Sequence, residues 1–229
     1  LGLPEECLRG SLKSIERAIM KLADDEVAAK ASEYISGALK ILETSHPSSS
    51  YLGDRPLREL AEEYLRLVLN TEAHKARELI ISSLESGIRV EDIYLQVFEP
   101  VQRISVAHEH YATSVTQSIM SELYPYIYSA SERRNLKLVA ACVNNELHEI
   151  GIRMVSDFFE MNGWESIYLG ANTPPEDFSG IVSDLKPDLV ALSATMTFNV
   201  GHVRHIIELL DEMEDRPPVM LEGTPSTLT

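Results

Sequence analysis

Two patterns of apolar residues divide the chain near residue 131. Before that point apolar residues recur three or four positions apart, as in Leu57, Leu60, Ala61, Tyr64, Leu65 and Val68. This spacing predicts amphipathic helices. After that point short apolar runs alternate with helix-like stretches, which predicts parallel strands joined by helices. The predicted fold class is therefore α plus α/β, with an N-terminal helical bundle followed by a doubly wound parallel sheet.

The first half is predicted to contain one long helix and then a bundle of four. Residues 11–43 are helical in composition, and the His-Pro-Ser-Ser-Ser run at 46–50 ends them. Further helices are predicted over 57–68, from Thr71 to Ser86, from Val90 to Pro100 and from Ser105 to Pro125. Short turns between helices are typical of a bundle. We therefore expect an N-terminal helical extension over 1–50 and a helical bundle over 51–130.

The second half, 131–229, is predicted to form the sheet domain. The sequence predicts strands over 136–143, 166–169, 188–193 and 218–221, and helices over 148–162, 175–185 and 200–213. Functional groups of such folds gather at the carboxyl ends of the strands, where the polar segments 144–151 and 193–196 fall. Only eight residues follow Leu221 and the chain does not begin with Met. Both observations indicate an incomplete sheet in a fragment of a longer protein.

Composition limits the partners of the chain. Its net charge of −16 and isoelectric point near 4.8 argue against nucleic-acid binding, even with the Arg133-Arg134 pair. No apolar run approaches the roughly 20 residues that span a membrane, and the first residues do not resemble a signal peptide. Cys7 and Cys142 are far apart, and we interpret both as reduced thiols. This interpretation predicts a cytoplasmic protein.

The segment Glu146-Leu147-His148-Glu149-Ile150-Gly151 is the strongest candidate for metal chemistry. A neutral imidazole is a good ligand for a transition metal, and its other nitrogen commonly donates to a carboxylate. Glu146 is placed to accept that bond from His148, and Gly151 lets a flat ligand or a backbone come close. Ser193 and Thr195 offer hydroxyls at the end of the third strand. Chance occurrence of this motif in a helix, with a solvated histidine, is the open alternative.

Residues 135–224 resemble a cobalamin-binding domain of the flavodoxin-like type. The blocks NNELHEIG, YLGANTPPEDF, PDLVALSATMTFNV and PPVMLEG carry the resemblance. It implies that His148 is the lower axial ligand of cobalt, displacing the dimethylbenzimidazole base of the cofactor. It further implies that the residues around this histidine and along the nucleotide tail bind the cofactor: Glu146, Leu147, Glu149, Ile150, Gly151, Ser193, Thr195 and Gly223.

Three residues depart from the pattern of that family. Glu146 stands where the family usually has Asp, and the longer side chain changes how the histidine ring is held. Asn145 replaces a usual glycine. Glu222 replaces the first glycine of a Gly-Gly pair and puts a charge where the nucleotide tail should thread.

Residues 104–125, ISVAHEHYATSVTQSIMSELYP, resemble the helical cap of cobalamin-dependent light sensors. The resemblance implies that Glu109 and His110 face the upper side of the corrin, so that the 51–130 bundle caps the cofactor. Residue chemistry alone favours exposed residues in the first turn of a helix, where an acid is favourable, and it is the flanking resemblance that favours the cap. The Trp that precedes this pair in the sensor pattern has no counterpart. Trp164 belongs to the other domain and does not replace it.

The resemblance implies a cobalamin-binding sensor or regulator that is not an enzyme. Its cofactor would be adenosylcobalamin, whose Co–C bond light cleaves, with methylcobalamin as the alternative. Such a photoreceptor would signal through a protein partner or self-association, and residues 11–43 are predicted either to contact that partner or to pack on the bundle. Two alternatives stay open: a corrinoid methyl carrier of a methyltransferase system, and a scaffold whose corrinoid site has decayed. The sequence shows no nucleophile–base pair, P-loop or glycine pattern of a hydride cofactor.

Overall fold

The helical half follows the predicted pattern. The structure is a computed structural model, and it describes residues 13–14, 16–17, 19–21, 25–44, 55–99, 106–128 and 132–223. Its helices are α1 (Asp25–Thr44), α2 (Arg58–Leu69), α3 (Ala73–Glu85), α4 (Val90–Ile93) and α5 (Val106–Tyr128), and α4 continues as a π-helical turn over Tyr94–Phe98. The predicted boundaries near residues 50 and 131 lie outside the described residues. Within the described ranges, no helix has the length and apolar character needed to cross a membrane.

The second half is a parallel four-stranded sheet with helices between its strands. Its elements are β1 (Lys137–Val143), α6 (Ile150–Met161), β2 (Glu165–Thr173), α7 (Pro175–Leu185), β3 (Leu189–Ser193), α8 (Val200–Asp211) and β4 (Val219–Glu222). The strand order is β2-β1-β3-β4, and every pair is parallel. The predicted α plus α/β class is confirmed. The strand order reverses between β1 and β3, which is where such sheets bind ligands.

Several elements differ in extent from the prediction, and three of these differences have a local cause. Helix α5 continues past Pro125 to Tyr128, since a proline near the end of a helix removes one hydrogen bond without stopping the residues after it. Helix α6 begins at Ile150, and not at His148, because the His148 amide donates to the Glu146 side chain. Strand β2 extends beyond the predicted 166–169. Glycine and asparagine in its second half, which are poor strand formers, hid that part of the strand.

The core of the helical bundle is aromatic, and it includes one face of α6. The rings of Tyr64 and Tyr94 lie 5.3 and 5.7 Å from the ring of Phe98, and all three residues are fully buried. Ile150 and Met154 of α6 belong to the same cluster. The bundle therefore packs directly on the helix that follows the Glu146–His148 loop. This contact brings α5 over the carboxyl edge of the sheet.

A partly buried hydrogen bond joins the bundle to α6 and leads to a prediction about pH. The Tyr94 hydroxyl donates to Asp157 Oδ2 at 2.7 Å, and burial raises the pKa of Asp157 although the Tyr94 bond lowers it. A carboxyl whose pKa is raised by folding weakens the fold as pH rises through that pKa. Asp157→Asn keeps an acceptor for Tyr94 and removes the charge. We therefore expect the variant to gain stability over wild type as pH rises from about 4 to about 8.

Urea unfolding of both proteins at the two pH values measures this effect. The wild type at each pH is the control, because all other groups titrate alike in the two proteins. If the stability of Asp157→Asn relative to wild type falls as pH rises, the pKa of Asp157 is not raised by folding.

Candidate functional site

A cleft of about 380 Å³ lies between α5 and the carboxyl edge of the sheet. Helix α5 contributes His110 and Thr113, the loop after β1 contributes residues 145–150, and the turn after β3 contributes Met196 and Phe198. The two polar segments that the sequence placed at strand ends therefore meet here. The cleft lies where the strand order reverses, as expected for a doubly wound sheet.

Glu146 is fully buried and organises the floor of this cleft. Its Oε1 accepts the backbone N–H of His148 at 3.1 Å and lies 2.6 Å from His148 Nδ1. Its Oε2 accepts the backbone N–H groups of Thr195 at 2.8 Å and Met196 at 3.2 Å, and Asn199 Nδ2 at 3.1 Å. Burial by itself raises the pKa of Glu146, but the hydrogen bonds from His148, Thr195 and Asn199 lower it to about 2. Glu146 is therefore a carboxylate at neutral pH.

The ring of His148 is held from one side and 44% exposed. Its Nδ1 faces Glu146 and also lies 3.2 Å from Thr195 Oγ1. A carboxylate at Nδ1 fixes the ring and raises the basicity of the imidazole, so binding of a metal would use Nε2. Among the described residues, no group of three or more His, Cys, Asp or Glu could hold a metal ion. A single histidine suits a metal that arrives with its other ligands already in place.

Two asparagines shape the loop that carries Glu146. Asn145 and Asn172 have φ of 64° and 56°, in the left-handed region that asparagine tolerates better than most residues. The Asn145 N–H donates to Asn172 Oδ1 at 2.8 Å, and the Asn172 N–H donates to the Glu146 carbonyl at 3.0 Å. These bonds tie the loop to β2. The left-handed backbone explains why Asn145 can replace the glycine usual in the resembling family.

Three other predicted residues line the same cleft: Leu147, Glu149 and Ile150. Leu147 is exposed, whereas Ile150 also belongs to the bundle core. Glu149 accepts a short hydrogen bond from the Tyr168 hydroxyl of β2. The apolar members of this set form cleft surface next to His148.

The residues predicted to line the nucleotide tail have a different arrangement. Thr195 belongs to the network that holds His148. Ser193 is fully buried, and its hydroxyl donates to the Glu222 carboxylate. A β-carbon added to Gly151 would meet the same carboxylate. Gly223 is half-buried just after β4 and is not one of the residues that line the cleft.

The predicted Glu-His pair of the cap lies on α5. His110 is exposed and contributes to the wall of the cleft that α5 forms. The side chain of Glu109 lies outside the described part of the structure. The structure therefore brings His110 and His148 to one cleft from two separate elements.

Sequence reasoning missed three residues of this site. Asn199 is fully buried, and its Nδ2 donates to both Glu146 and the Asn145 carbonyl, the latter at 3.4 Å. The sequence signal that could have found Asn199 is its position after the carboxyl end of β3, where functional groups of such sheets gather. Met196 and Phe198 are exposed apolar residues beside Leu147. A group of exposed apolar side chains indicates a binding surface, whereas a single one does not. Here the group lines the same cleft as the histidine.

Comparison with known proteins identifies the second half of the chain. Residues 136–229 match the family model of the B12 binding domain. Dimethylamine corrinoid protein 3 of Methanosarcina mazei is 33% identical over 101 residues, which are 43% of this chain and 60% of that protein. The HTH-type transcriptional repressor CarA of Myxococcus xanthus is 30% identical over 91 residues, 40% of this chain and 31% of that protein. The chain thus spans less than two thirds of these curated relatives.

One solved structure shares the fold of this chain. The chain superposes on the monomethylamine corrinoid protein of Methanosarcina barkeri with a TM-score of 0.59 and 19% identity, covering 74% of this chain and 86% of that one. The described residues form a helical bundle packed on a flavodoxin-like domain, the fold of that corrinoid protein. Residues 136–229 match the B12 binding domain, and part of the chain is similar in sequence to corrinoid proteins.

Proposed function

We propose that His148 is the lower axial ligand of the corrinoid cobalt and that Glu146 is the residue that positions it. The observation that carries the proposal is the 2.6 Å contact between His148 Nδ1 and a buried, ionised carboxylate. With the proton of the neutral ring on Nδ1, the lone pair lies on Nε2, as a metal ligand requires. Thr195 and Asn199 hold the carboxylate from the opposite side. In a bound cobalamin, His148 would take the place of the cofactor's own base at the cobalt.

The residues of the cleft fit a corrin ring. The face of the ring is broad, flat and apolar, and Leu147, Met196 and Phe198 expose apolar surface in the cleft that also holds the histidine. Hydrophobic lining with a few directed polar groups is the usual composition of a cofactor site. The residues expected along the nucleotide tail fit less well, because Glu222 occupies the space beside Ser193 and Gly151.

For the output we propose a sensor or regulator that responds to a change at the upper face of the corrinoid. A bound adenosylcobalamin supplies a Co–C bond that light cleaves. His110 and Thr113 of α5 line the same cleft as His148, while Ala112, Val115 and Ile119 of the same helix pack in the bundle core. A changed contact at His110 therefore acts on a helix that the whole bundle shares. The signal would leave through a protein partner or a second copy of this chain.

Reconstitution of the chain with adenosylcobalamin in the dark tests this function. Green light should change the absorption spectrum of the bound corrinoid and also the elution volume of the protein. His110→Ala should bind the corrinoid but lose the change in elution. His205→Ala, an exposed histidine of α8 paired with Glu176, is the matched control and should behave as wild type. An elution volume indifferent to light would remove the sensor proposal and leave the binding proposal intact.

A corrinoid methyl carrier is the second candidate. Its support is the similarity to proteins named dimethylamine corrinoid proteins and the fold shared with a monomethylamine corrinoid protein. A carrier would pass a methyl group between partner enzymes, and His148 would hold the cobalt in part of that cycle. Transfer of a labelled methyl group from a methylamine methyltransferase to the reduced, corrinoid-loaded chain would favour this candidate. A carrier would need no response to light.

A further inference from the structure

The carboxylate of Glu222 fills the crevice between the sheet and the first turn of α6. Glu222 is the last residue of β4 and pairs with Ser193 of β3. Its Oε2 accepts the Ser193 hydroxyl. A β-carbon added to Gly151 would lie 3.2 Å from Glu222 Oε1 and 3.6 Å from Oε2. The space above Gly151 is therefore taken by this carboxylate and not by solvent or backbone.

This crevice is where an anionic extension of the ligand would enter the sheet. It opens at the carboxyl ends of β3 and β4, beside the reversal of strand order that receives ligands in doubly wound sheets. It also borders the N-terminal turn of α6, and a helix N-terminus favours a phosphate through its backbone N–H groups and dipole. A carboxylate gains from the same field. Glu222 thus holds the position that the phosphodiester of a nucleotide tail would otherwise use.

We propose that Glu222 is a specificity-determining residue that weakens binding of the nucleotide tail, so that the site prefers corrinoids lacking it. The inference rests on the proposed function and refines which corrinoid this chain selects. The preferred ligand ends in a short uncharged side chain, as cobinamide does, whereas the tail of cobalamin carries a negative phosphodiester.

Two physical effects oppose the tail. The first is steric, because Glu222 must leave Ser193 and the Gly151 surface before a tail can enter. The second is electrostatic, because a phosphodiester placed beside the displaced carboxylate brings two like charges together in a partly buried site. A glycine at 222 would remove both effects. A glutamine would remove the charge and keep the volume.

Binding titrations of the full chain with aquocobalamin and with diaquocobinamide, followed by absorbance, test the proposal. The measured quantity is the ratio of the two dissociation constants in wild type, Glu222→Gly and Glu222→Gln. The change in ratio between variants reports Glu222 alone, since displacing the benzimidazole base costs the same in each. We expect Glu222→Gly to shift the ratio toward cobalamin by on the order of tenfold. Glu222→Gln should shift it less.

Binding of cobinamide is the control for folding, because cobinamide has no tail and should bind all variants alike. Glu222→Ala replaces Glu222→Gly if the glycine variant loses cobinamide binding. A ratio that changes by less than about twofold would overturn the role of Glu222. Failure of wild type to bind either corrinoid would instead overturn the proposed function itself, and with it this inference.

Discussion

Replacing His148 with alanine should remove the axial nitrogen that the protein gives to cobalt. The corrinoid spectrum in the variant should then be that of a cofactor without protein nitrogen, and affinity should fall by about 100-fold or more. Loss of a residue that only supports a metal ligand costs about 10–100-fold, and loss of the ligand itself should cost no less. The free energy of unfolding should change by less than about 1 kcal/mol, because the ring of His148 is partly exposed. Absorbance spectra and gel filtration of the reconstituted protein measure both effects.

Addition of free imidazole gives this experiment an internal test. An imidazole that enters the vacated space should restore the spectrum of the histidine-ligated corrinoid in His148→Ala. His205→Ala is the matched control, because His205 also contacts a glutamate but on the outer surface of α8. Identical spectra for wild type and His148→Ala would exclude His148 as the axial ligand.

Replacing Glu146 with alanine should destabilise the apo protein as well as weaken corrinoid binding. The amides of His148, Thr195 and Met196 would lose their acceptor in a site where Glu146 itself is 0% exposed. Removal of one partner from a buried hydrogen-bonded group leaves the others unsatisfied, so we expect a loss of about 3 kcal/mol in the free energy of unfolding. Affinity for the corrinoid should fall about 10–100-fold, because the ring of His148 would no longer be held.

Chemical denaturation and corrinoid titration separate these two effects. Glu146→Gln keeps the volume but turns an amide nitrogen toward backbone donors, and it should have a smaller effect on stability than alanine. Glu176→Ala is the matched control, because this exposed glutamate contacts His205 at 3.1 Å. It should change stability by less than about 0.5 kcal/mol. Equal losses in the free energy of unfolding for Glu146→Ala and Glu176→Ala would mean that the buried hydrogen bonds of Glu146 do not stabilise the fold.

Element positions were the most predictable part of the fold. Helix α7 has the predicted bounds, and β1 and β3 begin one residue later than predicted. The two strands were predictable because continuous apolar runs between polar turns leave little choice of where a strand begins and ends. The second half of β2 was missed, since Gly170 and Asn172 carry no strand signal. Their strand conformation depends on pairing with β1, which is a contact between distant parts of the chain.

The candidate site was partly predictable for the same reason. The spacing of Glu146 and His148 predicted a carboxylate–imidazole pair, and the structure places the two side chains in contact. The role of Ser193 was not predictable, because its partner Glu222 is 29 residues away. Asn199 is a similar case, since only the folded chain brings its side chain under Glu146.

By itself the sequence determined the two-part architecture and the histidine motif, since both depend on local spacing and on the order of elements. Tertiary structure decided what surrounds that motif. Packing of the bundle on α6 brought His110 to the same cleft as His148, and strand pairing placed Glu222 against Ser193 and Gly151. These contacts join residues remote in sequence. The hydrogen bonds that keep Glu146 ionised, and the contact with Ser193 that gives Glu222 its obstructing position, form only once the chain has folded.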